Sequence, residues 1–153
     1  MKKLFNILTA ALLLFSSVVF ATGSGKFNEN VNARVKASFV KDFSAASNVS
    51  WKKIRDCYVA TFTVNDTEIN AAYNEDGVLV GTSREMETSQ LPICVTLALA
   101  NKYQGYTISQ KTLELSFEGI TNYYLWAEND RHFVKVKSSI TGNIEVENKV
   151  KKK

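Results

Sequence analysis

The residues able to do chemistry are few and widely spaced. His132 is the single histidine of the 153-residue chain. A Ser–His–Asp or Cys–His relay needs an imidazole base and would have to use it. It sits, however, in a run of alternating valine and lysine beside Asp130-Arg131, the pattern of a half-exposed strand. A metal centre needs several nitrogen, sulfur or oxygen ligands at recurrent spacing, and one histidine with two distant cysteines does not supply it. Glu114, Glu145 and Glu147 could offer paired carboxylates for hydrolysis. Each alternates with apolar neighbours and fits the outer face of a strand. The glycines fall in turns without a phosphate-loop pattern. The residues therefore predict no catalytic group, no metal and no cofactor.

Cys57 and Cys94 remain. An even count permits a disulfide in an oxidising compartment. Such a bridge would close 38 residues, worth about 4 kcal/mol in the chain-entropy model. Two buried free thiols are the alternative. A redox-active site is disfavoured by the absence of a C-x-x-C pair.

The ends bound the compartment. Lys2 and Lys3 precede an apolar run from Leu4 to Phe20, and Val19-Phe20-Ala21 offers a small-residue cleavage site. Residues 1–21 thus read as an export signal, with the mature chain, residues 22–153, periplasmic or secreted and not inserted in a membrane. Removing the signal leaves 17 basic against 15 acidic residues, and Lys149, Lys151, Lys152 and Lys153 account for four of the positive charges. The basic balance is an end effect, which argues against a nucleic-acid surface. The lysine-rich terminus itself is expected to be frayed and solubilising.

The elements repeat. From Glu29 to Phe43, Val31, Val35, Phe39 and Phe43 recur every four residues, a helical stripe that Asn28 or Asn30 could cap. A second helix is expected from Leu91 to Gln104, with Ser89 as cap, Pro92 in its first turn and Gly105 after its end. Its Val95, Leu99 and Tyr103 stand sixty residues after Val35, Phe39 and Phe43. Four strands follow each helix. The first set spans Val49–Ile54, Cys57–Val64, Thr67–Tyr73 and Val78–Arg84. The second spans Thr107–Phe117, Asn122–Glu128, His132–Lys137 and Asn143–Glu147, with Asn, Asp and Gly in the turns between. The expectation is an α+β fold: a helix plus a four-stranded antiparallel meander, used twice over about 28–88 and 89–148. The two copies form one domain with a single continuous sheet and both helices on one face.

Alternation assigns faces in the second half. Leu113, Leu115 and Phe117, then Val134 and Val136, then Ile144 and Val146 alternate with polar residues, predicting one buried and one charged face. In the first half either Tyr58, Ala60 and Phe62 or Cys57, Val59 and Thr61 can face the helix. The aromatics exceed what one small core hides. Trp51, Tyr58, Phe62, Tyr73, Tyr124 and Trp126 are the candidates for an open sheet face. Trp51 also suits an apolar wedge at the helix–sheet seam.

The segments NVSW (48–51), YVATF (58–62) and AAYNEDGVLVGTSREM (71–86), with Leu91-Pro92 opening the second helix, resemble small exported bacterial proteins of the PepSY-like or β-lactamase-inhibitor-protein-like kind. The resemblance covers the mature chain. It implies two helix-plus-sheet repeats in one sheet and a non-catalytic protein whose open sheet face binds another protein. The second repeat departs from the pattern, because Lys111 stands where a partner to Trp51 would fall. The expected function is an exported binding module, inhibitor-like or an envelope sensor, that recognises an unidentified protein or peptide of the cell envelope. The alternative is a carrier of a small apolar ligand or peptide, with a pocket between helices and sheet beneath Phe39 or Leu99.

Overall fold

The computed structural model describes residues 30–153; the export signal and the Asn28 cap lie outside them. Among the described residues two helices accompany nine strands of an antiparallel sheet, an open α+β arrangement. Strands β1 (Ser47–Ile54), β2 (Cys57–Val64), β3 (Thr67–Asn74), β4 (Leu79–Glu87), β6 (Lys111–Phe117), β7 (Ile120–Glu128), β8 (His132–Ser139) and β9 (Ile144–Lys151) follow one another in space in that order. The short β5 (Thr107–Ile108) also pairs with β7. The chain divides into two compact units at Thr82/Ser83. That boundary falls inside β4, a few residues before the repeat boundary expected after residue 88.

In the first unit, helix α1 (Ala33–Asp42) is shorter than its apolar stripe. Its cap is Asn32, not Asn28 or Asn30. The Asn32 side-chain oxygen accepts the Arg34 N–H at 2.9 Å, while its amide donates to the Glu75 carbonyl at 3.0 Å. One cap thus satisfies an orphan helix N–H and ties the helix to the β3–β4 turn. Val31, just before the cap, and Val35 and Phe39 of the helix pack with Tyr58, Ala60 and Phe62 of β2 and Ala71 and Tyr73 of β3. That settles the open register: Val59 and Thr61 point to the other face. Asn65 and Asp66 both take positive φ, +47° and +61°. This is the two-residue hairpin geometry that sets β2 against β3.

In the second unit, a 3₁₀ turn at Thr88–Gln90 precedes helix α2 (Ile93–Lys102), and Pro92 rather than Ser89 occupies the cap. Leu91, Val95, Leu99 and Tyr103 cover Tyr123, Leu125 and Ala127 of β7 and Val134 and Val136 of β8. The strand expected over 107–117 is broken. Thr88 donates from its backbone N–H to the Gln110 carbonyl (2.8 Å) and from its hydroxyl to the Ser109 carbonyl (2.7 Å). Those two residues leave the ladder, and β5 and β6 pair with separate stretches of β7.

The repeat reappears in three dimensions where it is hardest to mimic by chance. Gly77, before β4, has φ +78°, and a Cβ there would lie 2.9 Å from Ser38 Oγ and 3.2 Å from Arg34. Gly142, before β9, has φ +83°, and its Cβ would lie 2.7 Å from the Cys94 carbonyl oxygen and 3.3 Å from Ala98. Cys94 and Ala98 stand sixty residues after Arg34 and Ser38. Each unit therefore seats its last hairpin turn against the same point of its helix, and only glycine permits that approach.

Two further expectations change. The lysine-rich end is not frayed: β9 pairs with β8 as far as His132↔Lys151. The Lys152 N–H donates to the Arg131 carbonyl at 2.8 Å, and its ammonium reaches Glu128 at 2.9 Å. Val150 and the paired backbone hold the lysines in a strand that charge alone would have released. The row Leu113, Leu115 and Phe117 does not face the helix either. Register pairs Leu113 with Tyr124 and Glu114 with Tyr123, so the leucines share the outward face with Tyr124.

Candidate functional site

The six aromatics proposed for an open face separate into two groups. Trp51, Tyr58, Phe62 and Tyr73 belong to the core beneath α1. Phe39 is surrounded by Trp51, Phe62 and Tyr73 at ring-centroid separations of 5.1, 5.0 and 6.4 Å, all edge-on. Edge-to-face contacts of this kind favour a packed cluster. The Tyr73 hydroxyl, on a side chain with no exposed surface, donates to Asp42 at 2.9 Å. Burial, and then that carboxylate, raise its pKa far above the tyrosine range. Lys53 lies 5.0 Å above the Tyr58 ring and pairs with Glu75 at 2.9 Å. These four rings are therefore corrected from surface to core, and Trp51 is the wedge at the seam. The physical reason is register: Trp51↔Ala60 and Tyr58↔Tyr73 put all four on the helix side.

Tyr124 and Trp126 are the two on the outward face. Trp126 is 37% exposed and stacks on Phe133, with centroids 4.5 Å apart and planes 20° from parallel. Phe133 pairs in turn with Val150. Cross-strand neighbours on one face of a sheet make such a row. The backbone of Trp126 is held on its other side: its N–H donates to Ser109 Oγ at 3.1 Å and its carbonyl accepts the Ser109 N–H at 2.9 Å. The strand break after β5 thus fixes the Trp126 backbone.

Tyr124 is 9% exposed and lies between Leu113 and Lys137 in register. The Lys135 ammonium stands 5.7 Å from its ring centroid and pairs with Glu147 at 3.4 Å. Burial first, then Glu147 and Glu145, push the Tyr124 phenol up to about 12. Lys137 pairs with Glu145 at 3.1 Å. Lys111 bridges Glu87 (2.8 Å) and Glu85 (3.7 Å) on β4. The outward face of the second unit is therefore an apolar strip of Leu113, Tyr124, Trp126 and Phe133, flanked by charges that are already paired. Exposed pairs of this kind add little stability but frame an aromatic centre, the usual anatomy of a recognition surface.

The outward face of the first unit is different. Val59, Thr61, Asn70 and Ala72 are small, and Thr61 donates to Asn70 at 2.6 Å. Phe133 is the site residue that sequence reasoning missed. Its place beside Trp126 needs the β7–β8 register, although the alternation of β8 was visible.

The groups weighed for chemistry stay apart. His132 is half-buried, and its backbone N–H donates to Asn129 Oδ1 at 2.8 Å. Partial desolvation, then Lys149, Lys151 and Arg131, hold its pKa below the ordinary imidazole value. Cys57 and Cys94 are free thiols, so the bridge that the count permitted is not formed. Cys94 is exposed and points its sulfur at the Ile140 carbonyl, 3.0 Å away. Cys57 is half-buried, and desolvation, with a smaller contribution from Asp56, raises its pKa. Among the described residues no group of three or more His, Cys, Asp or Glu is placed to hold a metal ion. Nor is any described helix long and apolar enough to cross a membrane.

No protein-family model and no curated protein matches the chain. Among solved structures it is similar to a BLIP-like protein from Bacteroides fragilis NCTC 9343, at 18% identity and TM-score 0.66, over 80% of this chain and 88% of that one. It is also similar to a protein described as periplasmic from Bacteroides eggerthii DSM 20697, at 18% identity and TM-score 0.65, over 80% and 90% of the two chains. A DUF2874 family protein from Bacteroides uniformis ATCC 8492 shares 20% identity, with TM-score 0.64, over 78% and 88%. These similarities establish the fold. They support the β-lactamase-inhibitor-protein-like part of the resemblance and not the PepSY part.

Proposed function

We propose that this chain is an exported, non-catalytic binding protein that recognises a protein of the cell envelope through the outward face of its second unit. The observation that carries the reading is Trp126, more than a third exposed and stacked on Phe133 on the face turned away from α2. A rigid aromatic pair at the centre of a charged frame is the composition of an interface hot spot. Export is supported by the signal-like first 21 residues and by a fold shared with a protein described as periplasmic. An inhibitor-like or sensor role is in keeping with the BLIP-like neighbour. The carrier alternative needs room beneath Phe39 or Leu99. Phe39 is instead closed in by Phe43, Trp51, Phe62 and Tyr73, and Leu99 is buried within its own cluster.

The test is affinity capture from an envelope extract with immobilised wild type, Trp126→Ala/Phe133→Ala, and Val40→Ala as an exposed control away from the face. A partner retained by wild type and the control, and weakened at least about thirtyfold by the double variant, supports the site. Equal recovery by all three refutes it. Mass spectrometry of the protein from periplasm should show a mature terminus near Thr22; full-length protein confined to the cytoplasm would refute export.

A further inference from the structure

Strand β9 stands last in the strand order of the sheet. Among the described residues β9 has a hydrogen-bonded neighbour on one side only, β8. In an antiparallel ladder, residues alternate between pointing their backbone groups toward the neighbour and away from it. The Lys152 N–H donates to the Arg131 carbonyl. By alternation Val150 also turns its backbone toward Phe133, whereas Lys149 and Lys151 turn theirs outward. Beyond the bulge that follows Val146, the outward-pointing donors and acceptors at this end of β9 thus belong to the two lysines.

Their side chains decide what can pair there. Lys149 and Lys151 lie opposite Val134 and His132, on the helix-side face of the sheet. Neither makes an ion pair among the described residues, whereas Lys152 is neutralised by Glu128. Val150 lies between them on the opposite face and continues the row Trp126–Phe133 to the edge, 52% exposed. A second copy of β9 laid antiparallel and centred on Val150 would set Lys149 against Lys151, and like charges directly opposite oppose pairing. Edge lysines guard against self-association in just this way. A strand bearing acids opposite Lys149 and Lys151 and an apolar residue opposite Val150 meets no such barrier.

We propose that β9 accepts an extended peptide segment of a partner by strand addition, and that the segment reads acidic–apolar–acidic across Lys149, Val150 and Lys151. Main-chain hydrogen bonds to the two lysines give affinity, and the alternate side chains give selectivity. The apolar residue of the segment extends the strip of Trp126 and Phe133. The inference rests on the face-binding reading for that contact alone; the backbone pairing stands without it.

The probe is a capped ten-residue peptide alternating glutamate and valine, with a lysine–valine peptide of equal length as its counterpart. Binding is measured by calorimetry, and amide exchange at Lys149 and Lys151 by NMR. The glutamate peptide should bind and slow exchange at both amides about tenfold or more at saturation, while the lysine peptide should not bind. Lys149→Pro removes an outward N–H without breaking the β8 ladder, and should weaken binding about five- to tenfold. Lys149→Glu/Lys151→Glu should exchange the two peptide preferences, which keeps the proposal testable if the proline variant does not fold. No binding of the glutamate peptide, binding without protection of the two amides, or unchanged preference in the double variant overturns it. Trp126→Ala separates the two readings. Edge protection persisting in a variant that still captures the envelope partner removes the face and keeps the edge; lost capture without edge protection in wild type does the reverse.

Discussion

Gly142→Ala should be among the most damaging single-methyl additions in the second unit, and its cost can be divided. The position has φ +83°, which an L-residue adopts at a penalty of roughly 1–2 kcal/mol. The added Cβ would also fall 2.7 Å from the Cys94 carbonyl oxygen and 3.1 Å from its carbon, and helical backbone cannot swing away as a side-chain tip can. Overpacking of that kind costs about 1–3 kcal/mol more. Gly119, at φ +79° with nothing within 4 Å of a built Cβ, is the internal control, because alanine there meets the conformational term alone. We expect Gly119→Ala to lose about 1 kcal/mol and Gly142→Ala about 2–4 kcal/mol, the difference being about 2 kcal/mol of steric contact. For a domain of this size that difference is a Tm gap of roughly 6–10 °C. Gly77→Ala should fall between them, since its nearest contact is the movable Ser38 hydroxyl at 2.9 Å. Urea unfolding followed by circular dichroism, with equal m-values across the set, gives the three numbers. If Gly142→Ala and Gly119→Ala agree within about 0.5 kcal/mol, the helix does not rest on this turn, and the shared seating of the two hairpins is not what positions α2.

Stability should also decline at high pH through Tyr124. Its folded pKa of about 12 exceeds the unfolded value near 10, so the native state keeps the proton longer. The associated stability is intact below pH 10 and is lost as pH rises toward 12. Denaturation curves at pH 9 and 11.5 should show a drop that Tyr124→Phe reduces; an equal drop in that variant would assign the loss to other groups, Tyr73 first. For the thiols, Ellman's reagent should modify exposed Cys94 rapidly and Cys57 slowly under native conditions. Absence of reaction without prior reduction would instead indicate a disulfide.

The second-half alternation was easier to read than its pairing. Val134 and Val136 were assignable to the core because each alternates with lysine, and they do lie under α2. Leu113 and Leu115 have the same local pattern yet face outward, since which side a strand turns to the helix depends on its partner, here Leu113↔Tyr124. Trp51, Tyr58, Phe62 and Tyr73 were misplaced for the same reason. A stretch such as CYVATFTV is apolar on both sides, and a one-residue change of register exchanges its faces. For the lysine-rich end charge alone predicts solvation, while Val146 and Val150 carry a weaker strand signal that pairing with β8 makes decisive.

Sequence by itself determined the helix-plus-meander repeat with its sixty-residue offset, the element order apart from the 3₁₀ turn and the break between β5 and β6, and the poverty of catalytic groups. Those are local or additive properties: periodicity, turn chemistry and composition act within a few residues and survive without knowledge of the fold. Tertiary structure decided which aromatics became core and which became surface, that Phe133 stands beside Trp126, and that β9 ends the sheet with two lysines turned outward. These depend on strand register and neighbour order, which couple residues far apart in the chain and are fixed only when all the strands are paired.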